Sequence, residues 1–199
     1  MSIEAMEVSE AKPQVGANVM KLVMGGPTKP NRNIDLDLAR IKKLPYPQSS
    51  IFEHLLRVYG MDFSADADFR SVLFVRPSVG PTEIRFSNNG KLYDHGDRIV
   101  MERNPPLKEA VAVMVKLAKA KGWQRVEFSG SEEFLLAAWE EAMAHGLEIC
   151  VKPEQKPLWA KFQTLCMDKK AQAKDQVSTE QAIAPPANDP VPSPRRLRV

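Results

Sequence analysis

Between Leu107 and Val151 the apolar positions alternate between helical and strand-like spacing. Leu107, Val111, Met114 and Ala118 recur on one face, and Lys108, Lys116, Lys119 and Lys121 keep much of the remainder in water, as in an amphipathic helix. Asn104 is placed to cap that helix, with Pro105 and Pro106 in a first turn whose amides have no intrahelical partner. Gly122 supplies a left-handed stop. Gln124 to Phe128 reads as a short strand. Ser129 with Glu132 three residues on forms a capping box for a second helix, whose inner stripe is Phe134, Ala138 and Ala142, widened by Leu135 and Trp139 and ended by Gly146. Leu147 to Val151 is strand again. Helix, strand, helix, strand with short connections is the arrangement of a parallel α/β unit.

Upstream, Ile34, Leu38 and Ile41 have helical spacing, with Arg40, Lys42 and Lys43 near the end that favours cations; Asn33 can cap this helix, and Pro45 and Pro47 stop it. Ser50 and Glu53 make another capping box. The helix that follows presents Ile51, Leu55 and Val58, with Phe52, Leu56 and Tyr59 beside them, until Gly60. So wide an apolar surface on so short a helix implies packing against something larger. Met61 to Phe69 is acidic and reads as irregular or a single helical turn.

Ser71 to Val75 is a strand by its β-branched and aromatic content. Glu83 to Phe86, Leu92 to Tyr93 and Arg98 to Met101 are short runs separated by Asn88-Asn89-Gly90 and His95-Gly96. Asn-Gly accepts positive φ and predicts a hairpin, and the alternation puts Ile84 and Phe86 on the covered face. This meander is expected to meet the strands of the later stretch edge to edge. The predicted fold class is α/β (α+β): a small mixed β-sheet, a β-meander followed by helix-strand-helix-strand, with helices packed on the sheet.

The predicted organisation is a flexible N-terminal arm at 1–33, a helical lead-in at 34–69, a core domain at 70–168 and a disordered, Pro/Ala-rich, basic-ended tail at 169–199. Within the arm, Val19 to Met24 is a weak candidate for a docking strand. A last helix carries Leu158, Phe162 and Leu165 on one face, joined by Trp159 and Cys166.

The chain has 199 residues and is 43% hydrophobic, enough for one domain of roughly 100–150 residues with extensions. With 28 basic and 25 acidic side chains the balance neither demands nor excludes a nucleic acid. Cys150 and Cys166 are too few for a Cys-rich metal site and read as buried thiols of a reducing compartment, so the expected location is cytoplasmic. No apolar run approaches the roughly 20 residues a membrane helix requires, and no membrane insertion is expected.

His54, His95 and His145 share no spacing that would place them on one metal, and no cofactor is expected. Glu132-Glu133 and Glu140-Glu141 read as solvated helix faces. Ser129-Gly130-Ser131 lies where anions bind between a strand and a helix. The glycines of a nucleotide loop are missing, however, and Glu132 and Glu133 already compensate the helix end, so capping is preferred over anion binding. The charges favoured for phosphate contact are Lys42, Lys43, Arg195, Arg196 and Arg198, because a flexible basic arm tracks phosphates without a preformed groove. Phe52 and Tyr59 are candidates for a protein-facing patch, with packing inside the chain the equal alternative. Tyr46 is read as a turn-filling residue, with stacking or docking as the other option.

Asp94-His95-Gly96-Asp97-Arg98-Ile99, Ala118-Lys119-Ala120-Lys121-Gly122-Trp123 and Ser129-Gly130-Ser131-Glu132-Glu133-Phe134, within Thr82 to Val151, resemble the seventh large polyvalent protein-associated domain. In that family a hairpin and a Gly-Asp-Arg strand precede a helix ending in Lys-Gly-Trp or similar, then a strand, a Thr/Ser-Gly turn and a Phe-bearing helix. Such domains occur in conjugative relaxases, usually downstream of the nicking domain, and in large proteins of mobile elements and phages. The resemblance therefore implies DNA mobilisation or processing as context, with the domain as an accessory module. Tyr46, Tyr59 and Tyr93 are not accompanied by a triple-histidine strand, so the nicking machinery of a relaxase is not expected. The function expected is that of a non-catalytic accessory or interaction protein of a mobile element, acting by contact with a protein partner, DNA or both. A small adaptor or inhibitor without a nucleic-acid role, and an enzyme with an unrecognised site, are the alternatives.

Overall fold

The structure, a computed structural model, describes residues 17–25, 34–77, 80–102 and 105–166. Strand β1 (Asn18–Gly25) precedes helices α1 (Ile34–Ile41) and α2 (Gln48–Tyr59) and a 3-10 turn at Ala67–Ser71. A meander follows, of β2 (Val72–Arg76), β3 (Thr82–Phe86), β4 (Lys91–Asp94) and β5 (Arg98–Glu102). Then come α3 (Leu107–Ala120), β6 (Trp123–Ser129), α4 (Glu132–Ala144), β7 (Glu148–Cys150) and a helix α5 at 156–166. The seven strands form one mixed sheet in the order β2-β3-β4-β5-β1-β6-β7. Only β6 and β7, joined through α4, run parallel; the other neighbours are antiparallel. The expected fold class is the one observed.

The meander does not meet the later strands directly. β1 stands between β5 and β6, with Met20 opposite both Ile99 and Phe128 and fully buried. Residues 18–25 are thus the middle of the sheet; of the arm expected at 1–33, residues 1–16 and 26–33 lie outside the described residues. The strand escaped its own pattern because its register shifts between Leu22 and Gly25, leaving Val23 and Met24 exposed and breaking the two-residue alternation. Gly25 sits at φ +142° where a Cβ would come within 2.6 Å of the Gly122 carbonyl, so the strand can end there only in glycine.

Antiparallel pairing assigns every side chain to a face. Ile84, Phe86, Leu92, Ile99, Met101, Met20, Val126 and Phe128 share the covered one and are all buried. Phe134 of α4 meets Phe128 edge-on at 6.1 Å, and α2 reaches the same face through Tyr59. Fully burying one such side chain contributes about 1.5–3 kcal/mol, and this row is what orders the sheet. The hairpin expected at Asn88-Asn89-Gly90 is present, with Asn89 at φ 64°.

Helix starts differ from expectation by a few residues. α2 begins at Gln48, ahead of Ser50, and the residue at its cap position is Pro47. α3 begins at Leu107, so Pro105 and Pro106 precede it; Asn104 and Asn33 lie outside the described residues. Ser131, and not Ser129, caps α4 by accepting from the Phe134 amide, because Ser129 is still paired with Val19 in the sheet. The described residues up to Lys156 make one compact unit and those from Pro157 to 166 belong to a second. The lead-in at 34–69 is therefore part of the same unit as the sheet. In the second unit the rings of Trp159 and Phe162 lie 5.4 Å apart.

Candidate nucleic-acid interface

If Ile84 and Phe86 face the helices, Glu83 and Arg85 must face the other way. The hairpin then sets Lys91 opposite Arg85 and Tyr93 opposite Glu83. On the other side a register shift in β2 sets Phe74 opposite Arg85 and Arg76 opposite Glu83. Six side chains from three strands thus meet on the outer face of the β2–β4 end of the sheet.

Their geometry is a ring of cations around one carboxylate. Glu83 is held by Lys91 at 2.8 Å, Arg85 at 2.9 Å and Arg76 at 3.5 Å. Lys91 also donates to the Tyr93 hydroxyl at 3.1 Å. The Arg85 guanidinium lies 5.3 Å from the centre of the Phe74 ring, and the Lys91 ammonium 5.6 Å from that of Tyr93, both within cation–π range. Glu83 is 5% exposed and forms the floor, whereas the side chain of Arg76 is 67% exposed and that of Arg85 41%. The Lys91 ammonium, then the Arg85 guanidinium, hold the Glu83 carboxyl at about 2, against the opposing effect of its burial. In return Glu83, and after it Tyr93, raise the Lys91 ammonium.

Two features of this cluster work against the fold. Arg85 and Lys91 are like charges directly opposite each other, a repulsion that Glu83, bridging both, and Glu102, opposite Lys91 on β5, offset in part. The Arg85 Nε–H is buried without a hydrogen-bond partner. Three cations meet Glu83, and Glu102 of β5 stands opposite Lys91 on the same face, which leaves a net single positive charge near an exposed aromatic ring, Phe74 at 40%.

The residues singled out from the sequence are distributed elsewhere. Lys42 and Lys43 are exposed in the turn after α1. Arg195, Arg196 and Arg198 lie outside the described residues. Phe52 and Tyr59 are each only 6% exposed. Tyr59 donates to Asp94 at 2.9 Å, and Asp94 also accepts from Lys121 at 2.6 Å and from the Gly96 amide at 2.8 Å. That buried knot ties α2 and the end of α3 to the β4–β5 turn. Burial first, and then the charge of Asp94, push the Tyr59 hydroxyl well above its usual range. Tyr46 is 86% exposed.

The Ser129-Gly130-Ser131 turn is occupied from within: the Ser131 amide donates to Asn18 Oδ1 at 3.0 Å, and Lys152 donates to Ser129 Oγ at 2.8 Å. Two of the three histidines make local helix contacts, His54 with the Ser50 carbonyl and His145 with Glu141. Among the described residues no group of three or more His, Cys, Asp and Glu is disposed to hold a metal ion. Nor, among them, is any helix long and apolar enough to cross a membrane.

The residues that build this outer face, from Phe74 to Tyr93, lie within a segment that has a recognisable sequence signature. Residues 74–162 match the family model of large polyvalent protein-associated domain 7. The domain opens in β2, eight residues ahead of the Thr82 at which the resemblance was first visible, and takes in both Phe74 and Arg76. By its description it is a domain associated with large polyvalent proteins. Searches of curated proteins and of solved structures return no match.

Sequence reasoning passed over Phe74, Arg76, Arg85, Lys91 and Tyr93. The signal was nonetheless present. Placing Ile84 and Phe86 inward fixes Glu83 and Arg85 outward, and the Asn-Gly hairpin then fixes what faces them on β4. Only the register shift in β2, which brings Phe74 and Arg76 into line, had no trace in the residues.

Proposed function

We propose that this chain is an accessory module of a mobile element's DNA-processing machinery, acting by binding and not by catalysis. The domain at 74–162 ties it to large polyvalent proteins, and the cation ring on Glu83 supports contact with nucleic-acid phosphates. That ring is the observation that carries the reading. Exposed guanidinium groups held in place by a buried carboxylate present their free N–H edges to a phosphate without first losing side-chain freedom. Lys42, Lys43, Arg195, Arg196 and Arg198 are proposed as further phosphate contacts at the turn after α1 and in the C-terminal tail.

The test is binding of the purified full-length chain to a labelled DNA at rising salt. Electrostatic contacts predict a steep fall in affinity. Absence of binding at low salt would remove the nucleic-acid role. A second reading, an adaptor without nucleic acid, is favoured by a different observation: β2 is an edge strand whose Leu73 and Phe74 are 53% and 40% exposed. An extended segment of a partner protein could add to such an edge. On that reading capture of a partner is insensitive to salt and lost when β2 is altered.

A further inference from the structure

We infer that the outer face of β2–β4 takes a single-stranded nucleic acid, with Phe74 as a stacking platform and Arg76 and Arg85 as phosphate contacts. This rests on the nucleic-acid reading above and narrows it to one class of ligand. The surface is a pleated sheet face, and none of its six named side chains belongs to a helix or a protruding ribbon of the kind that enters a duplex groove. A duplex keeps its bases stacked on one another, so an aromatic ring on such a face finds no partner in it. A single strand, with its bases free, does.

Phe74 fits this role. It is an apolar ring 40% exposed in the middle of charged side chains, with the Arg85 guanidinium 5.3 Å from its centre. Guanidinium and ring together offer a planar surface to a base and a charge to the adjoining phosphate. Arg76, one residue-pair along the sheet and the most exposed of the three cations, is placed for a neighbouring phosphate. Lys91 is 15% exposed and hydrogen-bonded to Glu83 and Tyr93, which makes it a positioning residue for the carboxylate. A polyanion laid across the face would offset the repulsion between Arg85 and Lys91, which stand opposite each other on adjacent strands.

The experiment is fluorescence anisotropy of the full-length chain with labelled oligo(dT), oligo(U) and a DNA duplex of the same length, at one moderate salt concentration. The expected result is tighter binding of a single strand than of the duplex. Oligo(dT) or oligo(U) as the preferred strand identifies DNA or RNA as the source. Phe74→Leu, which keeps the side chain apolar, is expected to lose about tenfold or more in single-strand affinity. It should leave any duplex binding unchanged, and Phe74→Tyr should restore the loss. Equal binding of duplex and single strand, untouched by Phe74→Leu, overturns the inference while leaving the nucleic-acid reading intact. No binding of any of the three defeats both. Should Phe74→Leu disturb the fold, Arg76→Glu carries the same decision from a well-exposed position: undiminished single-strand affinity in that variant overturns the inference.

Discussion

Glu83 anchors both the fold and the placement of its three cations, and pH tests the first of these. Its carboxyl ionises at about 2 in the folded chain against an ordinary value of 4.5. A depressed acid of this kind stabilises the fold fully above pH 4.5 and loses that contribution as pH falls through about 2. Glu83→Gln, which does not titrate, is therefore expected to be less stable than the native chain at pH 7. The gap should close between pH 4.5 and 2, as followed by urea melts across that range. At neutral pH the same substitution removes the carboxylate that holds Arg76, Arg85 and Lys91 in place and is expected to weaken binding to a nucleic acid. Tyr59 tests the opposite kind of residue, one that the sequence offered as a surface candidate. Tyr59→Phe removes a buried hydrogen bond to Asp94, which keeps Lys121 and the Gly96 amide. The expected loss is about 1–3 kcal/mol of stability with no change in binding, measured by thermal unfolding alongside anisotropy.

At the scale of elements, the contrast between what could and could not be foreseen follows from which forces are local. The Asn-Gly hairpin, the stripe of α3 and the Phe-bearing α4 are each dictated by neighbours in sequence, and each was legible. Helix starts were misplaced where two serines competed: Ser129 has the better box, but pairing with Val19, over a hundred residues away in sequence, claims it for β6. β1 was weakly legible for the same reason in stronger form. Its register shifts obey β6, and an isolated reading of Val19 to Met24 shows no alternation to find. The candidate site needed a further step, since charged residues on a strand look like ordinary solvated positions until cross-strand register shows that three of them share one carboxylate. The central place of β1 makes a firm prediction. Met20 is fully buried between β5 and β6, so Met20→Ala is expected to cost about 2–5 kcal/mol in equilibrium unfolding. Deletion through Gly25 leaves β5 and β6 without the strand that joins them, and should abolish the cooperative transition.

For the whole molecule the formal charge is only +3, so a net attraction to a polyanion is weak and local clusters must supply the binding. Three such clusters are proposed, the sheet face, Lys42 and Lys43 after α1, and the tail with Arg195, Arg196 and Arg198, and salt distinguishes the shares of the first and last. The logarithm of affinity for a single strand falls with that of salt concentration by about 0.7 for each phosphate neutralised. Replacing Arg76 and Arg85 together by alanine removes two contacts and should flatten that slope by about 1.4. Removing residues 170–199 takes away three arginines and should flatten it by about 2 with the melting of the sheet unchanged. Because the clusters lie on separate parts of the chain, the two changes are expected to add in a combined variant. A slope altered by the sheet variant but not by the truncation assigns the nucleic acid to domain 7 alone and leaves the tail for protein recognition or as a linker. A slope altered by the truncation alone would place the electrostatic work outside the sheet, and the cation ring on Glu83 would then have to be explained by the fold.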